Sequence, residues 1–189
     1  MVSRTPAAPP AQPTPKAKIA KHSKRRGRGA EDLLSEIETT MGESWLPEIY
    51  RDRILKLRTR SYVFPAPAKR KITPAIQHTL LGIELKVGQH RMLCPDLATA
   101  RYLAVFARAG CAAVAIPYDI TKISHLADQL ESSWHRMFLL AGSVLEGRSE
   151  AFVTRVRSIL VGKVRDEIAR AGAGTRIPEF KQSTKQGRR

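Results

Sequence analysis

Two groups of residues in this 189-residue chain have the types and spacing to do chemistry. The first is a run of cations. Residues 16–28, KAKIAKHSKRRGR, hold Lys16, Lys18, Lys21, Lys24, Arg25, Arg26 and Arg28, and no acid occurs before Glu31. The chemistry of such a run is electrostatic: it binds polyanions, and neutralising phosphates releases condensed counterions whatever the base sequence. The second group is Glu84-Leu85-Lys86, an acid and a lysine that a strand would set on one face. That pairing suits metal-dependent phosphodiester hydrolysis. Such chemistry needs a further carboxylate, because two acids must hold the Mg²⁺ that activates water and supports the leaving oxygen. Residues 53–83 contain no Asp or Glu, and Asp96 follows the motif in the wrong place. Alternating charge on an exposed strand is the simpler account of Glu84 and Lys86.

The remaining polar candidates divide into binding residues and helix caps. Arg51, Arg53, Lys56, Arg58 and Arg60, continued by Lys69, Arg70 and Lys71, form a second basic stretch beside the folded body. Read as a helix, this stretch turns Arg51 and Arg58 to one outward side, while Arg53 falls in the apolar stripe and would snorkel or find a pair. Arg155, Arg157, Lys163 and Arg165 are weaker candidates, with Asp166 and Glu167 close by. Asp96 and Asp119 read as helix caps. Tyr118, Asp119 and His125 lack the nucleophile, metal partner or glycine loop that an acid/base pair would serve. Cys94 and Cys111 read as buried thiols, and the five histidines have no ligand spacing relative to them. No metal, cofactor or catalytic set is expected.

Where the charge lies matters more than its total of +16. Residues 1–30 carry eight Lys or Arg and no acid, and residues 171–189 carry five against Glu179. The ends are polycationic and the body only mildly basic. Aromatic residues make up 6% of the chain, too few for a stacking-rich module that reads single-stranded RNA. No stretch approaches the roughly 20 apolar residues of a membrane span, and the start lacks the apolar core of a secretory signal. An organelle transit segment would be richer in serine and poorer in proline than residues 1–29.

These residues need elements to hold them. Residues 1–29 read as a disordered basic tail, stiffened by Pro6, Pro9, Pro10, Pro13 and Pro15, and residues 172–189 as a flexible basic C-terminal tail. Residues 30–171 should form a single α+β domain. Helices are predicted over residues 30–41 and 44–58, then strands over 76–81, 83–87 and 90–94 with a turn at Gly88-Gln89. A helix over 97–109 and a buried strand over 111–116 complete a βαβ unit with a right-handed crossover. Two long amphipathic helices, to about residue 141 and over 149–171, should close an antiparallel helical hairpin packed on the sheet or on another subunit. The expected architecture is a small mixed sheet of three or four strands with N-terminal helices and that hairpin. Small residues in 110–115 allow close helix–strand packing, and Trp134, Met137 and Phe138 are expected in the core.

The order helix, three strands, helix and strand over residues 30–116 resembles in outline the PD-(D/E)xK nuclease core. Glu84 and Lys86 match its strand motif, but the chain lacks the family's earlier acid, so at most a degenerate Mg-dependent nuclease-like domain is implied. The expected function is instead non-enzymatic, largely sequence-independent binding of DNA or RNA through the phosphate backbone. The contacts would come from Lys16, Lys18, Lys21, Lys24, Arg25, Arg26, Arg28, Arg51, Arg58, Lys69, Arg70 and Lys71. A structural or adaptor protein that self-associates through its hairpin, or docks an acidic partner, is the alternative. A cytoplasmic place, associated with nucleoid or ribosome, and no membrane contact complete the expectation.

Overall fold

A computed structural model describes residues 29–65 and 73–175 of the chain. Within these residues the fold is mixed α+β, with five α-helices, one of them a single turn, and two small antiparallel sheets. Helix α1 (Ala30–Met41) opens where the Gly29 amide donates to Asp32 Oδ2 at 3.2 Å. The acids of its first turn, Glu31 and Asp32, sit at the positive end of the helix dipole. Leu33, Leu34, Ile37 and Met41 face inward, and Gly42, at a φ of 49°, ends the helix.

The helix expected over residues 44–58 is broken into pieces. A 3₁₀ turn (Gly42–Ser44) leads to α2 (Leu46–Ile49), whose Pro47 fits a first helical turn because its missing N–H would have no partner there. A π-helical turn (Tyr50–Ile54) follows, and the chain then turns extended as β1 (Thr59–Val63). Thr59, Tyr62 and Val63 favour a pleated backbone. Ile54 and Leu57 extended the helical spacing far enough to hide that strand.

Strands β2 (Ala75–Thr79), β3 (Gly82–Val87) and β4 (His90–Cys94) form the antiparallel meander expected, joined by two-residue turns. Helix α3 (Leu97–Ala109) starts where Asp96 Oδ1 accepts the Thr99 amide at 2.6 Å, and it ends at Gly110 in the left-handed region. Strand β5 (Ala113–Pro117) comes next. The βαβ unit does not form. β4 and β5 belong to different sheets, and β5 pairs antiparallel with β1, Thr59 opposite Pro117 and Val63 opposite Ala113. The strand hidden at 59–63 supplies β5 with its partner, so α3 bridges two sheets instead of crossing over one.

Helix α3 is the centre of the core. Ala100, Tyr102, Leu103, Ala104, Val105, Phe106 and Ala109 are all buried, and α3 packs on the three-stranded sheet, on α4 (Ile120–Val144) and on α5 (Glu150–Ala171). Asp119 caps α4, its Oδ1 accepting the Thr121 amide at 3.1 Å. Helix α4 buries Ile123, Leu126, Leu130, Met137 and Ala141 chiefly against α3 and α1. Helix α5 buries Val156, Leu160, Val164 and Ile168 against α3, α2, α1 and β5. The two long helices, joined by a short turn, make few close contacts with each other and are held chiefly through α3 and α1, on which both of them pack. Met137 is fully buried, whereas Trp134 and Phe138 are half-buried and stack on each other at 5.1 Å.

Candidate nucleic-acid interface

The described body is almost neutral. Its residues hold 17 Lys or Arg against 16 Asp or Glu, a net of +1, so residues 1–28, 66–72 and 176–189 carry the other +15. Of the expected phosphate contacts, Lys16, Lys18, Lys21, Lys24, Arg25, Arg26, Arg28, Lys69, Arg70 and Lys71 lie outside the described residues. Arg51 and Arg58 lie within them, and they differ sharply.

Arg51, on the π-helical turn, pairs with Glu48 one turn back. Lys56 pairs in the same way with Asp52 at 3.0 Å. Both cations flank a groove of about 530 Å³ lined by Glu38, Glu43, Glu48 and Asp52 together with Trp45 and Arg53. Arg53 is not buried: it is exposed and makes no ion pair among the described residues. Four carboxylates make this surface unfavourable to phosphate, and Arg51 stands beside them. The spacing of these acids, 38, 43, 48 and 52, was visible in the sequence. What it lacked was the broken helix that gathers them.

Arg58 belongs to a different surface. The helix ends before it, so Arg51 and Arg58 do not share a side as a continuous helix would require. The Arg58 guanidinium stands 5.2 Å above the Tyr118 ring, a cation–π contact that fixes a flexible side chain without neutralising it. Two residues on, Arg60 is exposed on β1 and has no ion pair among the described residues.

Strand β1 also organises the chain's basic segments. After α5 the backbone turns back along β1. The Gly172 carbonyl accepts the Tyr50 hydroxyl at 2.7 Å, and Thr175 makes a parallel bridge to Arg60, its carbonyl accepting the Ser61 amide at 2.9 Å. Gly174 permits this approach. Its φ is +78°, and a Cβ there would stand 2.7 Å from Thr59 Oγ1. The fold thus runs past residue 171, and residues 176–189 depart from beside Arg60. Residues 66–72 follow Pro65, two residues past the end of β1. Two of the three cationic segments thus join the described body close to β1.

The other candidates take structural places. Asp96 and Asp119 cap helices as expected, and His125 Nε2 lies 2.6 Å from Gln129 Nε2 on an exposed helix face. Burial pushes the Cys94 thiol up and the Cys111 thiol up to about 12, so both stay protonated at neutral pH. Lys163 is tied to Glu38 and Glu167, and Arg165 to Asp166, while Arg155 and Arg157 are exposed without an acid partner among the described residues. Glu84 and Lys86 do share a face of β3, as their spacing requires. Across that face stand Gln77, Thr79, Arg91 and Leu93, so Glu84 is its single acid and no two-carboxylate metal site is assembled there. Among the described residues no cluster of three His, Cys, Asp or Glu is placed to hold a metal ion, and no helix is long and apolar enough to cross a membrane. Compared with known proteins, the chain matches no family model, no curated protein and no solved structure.

Proposed function

We propose that this protein is a non-enzymatic nucleic-acid-binding protein that grips the phosphate backbone of DNA or RNA with little base readout. The observation that carries the reading is the separation of charge from fold: a nearly neutral body and 16 Lys or Arg against one acid in the three segments outside it. A protein needing charge only for solubility would spread it over the body. Arg58 and Arg60 are unneutralised, and Arg60 stands beside the point where residues 176–189 join the body, so the cationic surface extends onto the body itself. Phosphates are common to both polymers, so the same surface serves either one. The working place of such a protein is the cytoplasm, on nucleoid or ribosome.

The test is a salt series. Affinity of the full chain for duplex DNA and structured RNA should fall steeply, with a log–log slope of about −0.9 for each phosphate neutralised on a duplex. A chain shortened to residues 29–175, with its fold checked by circular dichroism, should retain a shallower slope. Replacing Lys69, Arg70 and Lys71 by glutamine in that fragment should flatten it further. A full chain that shows no salt-dependent binding to either polymer refutes the reading.

A further inference from the structure

The three-stranded sheet buries one face against α3, and no other helix or strand of the described chain packs closely on it. The strand register places Gln77, Glu84 and Leu93 in one row across the outer face and Ala75, Lys86 and Arg91 in the next. Leu85, on the opposite face, is fully buried. Two features of the outer face do not fit a surface meant for water. The β2–β3 turn consists of Leu80 and Leu81, where a two-residue hairpin calls for Asn, Asp or Gly, and both leucines stand almost wholly in solvent. Leu93, 66% exposed, lies beside Gly82 and widens this patch; its Cδ1 is 3.5 Å from where a Cβ on Gly82 would be.

The second feature is Glu84. Its side chain is shielded, 11% exposed, at the middle of that face. Oε1 accepts from the Thr79 hydroxyl at 3.3 Å, but Oε2 is buried without a hydrogen bond, and its nearest cation, Arg91 Nη1, is 3.9 Å away. A shielded carboxylate oxygen left short of a donor is costly, and a further cation drawn close over this face would relieve it through space. Lys86, two residues along β3 on the same face, has no ion pair among the described residues.

We propose that this face packs against the same face of a second copy of the chain. A two-fold axis demands a surface complementary to itself. This one supplies an under-satisfied acid, a free lysine and exposed leucines within one small sheet. In such a pair Glu84 of each copy meets Lys86 or Arg91 of the other, and Leu81 and Leu93 meet across the apolar part. Phosphate is disfavoured here by Glu84 and by the leucines, and a lipid surface by the shielded charge. The inference does not depend on what the basic segments bind. A dimer would, however, set two sets of them on one polyanion and raise avidity without any new contact.

The experiment is sedimentation velocity of the full chain, freed of nucleic acid, across a concentration series at physiological salt. A monomer–dimer equilibrium is expected. Leu93→Asp and Leu81→Asp, both at exposed positions that leave the core intact, should each weaken dimerisation about tenfold or more. Glu84→Lys alone and Lys86→Glu alone should each weaken it, and an equimolar mixture of the two should recover it as a heterodimer. A chain that stays monomeric throughout, a dimer indifferent to both leucine changes, or a charge-swapped mixture that recovers nothing overturns the proposal.

Discussion

The hydroxyl of Tyr50 accepts the amide of Ala115 at 2.8 Å while donating to Gly172, so one phenol ties the first helical region to β5 and to the end of α5. The Ala115 carbonyl is taken by a second phenol, that of Tyr102, at 2.6 Å. Tyrosines thus occupy both polar groups with which Ala115 would continue the sheet beyond β5, and Thr175 covers β1 on the far side. Open strand edges recruit other chains, and this two-stranded sheet has both of its edges occupied.

Removing the Tyr50 hydroxyl leaves a buried amide and a carbonyl short of a partner. Tyr50→Phe should cost about 1–3 kcal/mol in urea unfolding at neutral pH. Burial also pushes the Tyr50 phenol up to about 12 from its usual 10 and moves Tyr102 in the same direction. For an acid raised in the folded state, the stabilisation is fully present below pH 10 and is lost as pH climbs toward 12. Unfolding midpoints should therefore drop above pH 10, and Tyr50→Phe should make that drop shallower. Equal slopes for both proteins would contradict the assignment.

Gly174 has neither the backbone angle nor the room for a side chain. Gly174→Ala should release the C-terminal segment from β1 at a cost of about 1–2 kcal/mol. The local readout is amide hydrogen exchange, in which the Ser61 N–H, bonded to Thr175, should speed up more than amides of α3.

On the proposed phosphate surface, Arg58 and Arg60 carry free charge and Arg51 does not. Arg60→Ala should weaken binding to duplex DNA and reduce the salt slope by about 1, the value for one lost phosphate contact. Arg51→Ala should leave affinity close to that of the unmodified chain. Titration at two salt concentrations distinguishes them, and a larger loss for Arg51 than for Arg60 would move the interface to the other side of the body.

Cys111 should resist alkylation. Its thiol is buried and held protonated, with a pKa pushed up to about 12 chiefly by loss of solvent. Iodoacetamide at pH 8 should modify it far more slowly in the native protein than in urea. Mass spectrometry of the peptide containing Cys111 gives the rate.

Local signals in the sequence were accurate at several element boundaries, though Ser44 does not cap α2 and α4 runs through Gly142 to Val144. Gly42, Gly88-Gln89, Asp96 with Gly110, and Asp119 each mark a boundary that the structure keeps. The failures come from pairing across long separations. Residues 59–63 carry β-forming side chains, yet their partner lies at 113–117, and nothing nearby announces it. Missing β1 produced both the overlong helix and the mistaken βαβ unit. The cationic segments were legible as composition. That two of them join the body close to β1 was not, because Gly174 beside Thr59 is a contact between residues far apart in the sequence.

Those end-to-end contacts govern how the protein is made. Trp45 Nε1 bonds Glu167 Oε2 at 2.9 Å, Tyr50 bonds Gly172, Lys163 meets Glu38, and Ser61 takes Thr175, each joining the first described segments to the last. A chain emerging from the ribosome in N-to-C order holds α1, α2 and β1 without these partners until α5 has been synthesised. The cationic residues before Ala30 emerge long before then. If the basic N-terminal segment binds phosphates as proposed, it would meet ribosomal RNA, the nearest dense array of them, while the body it belongs to is still incomplete.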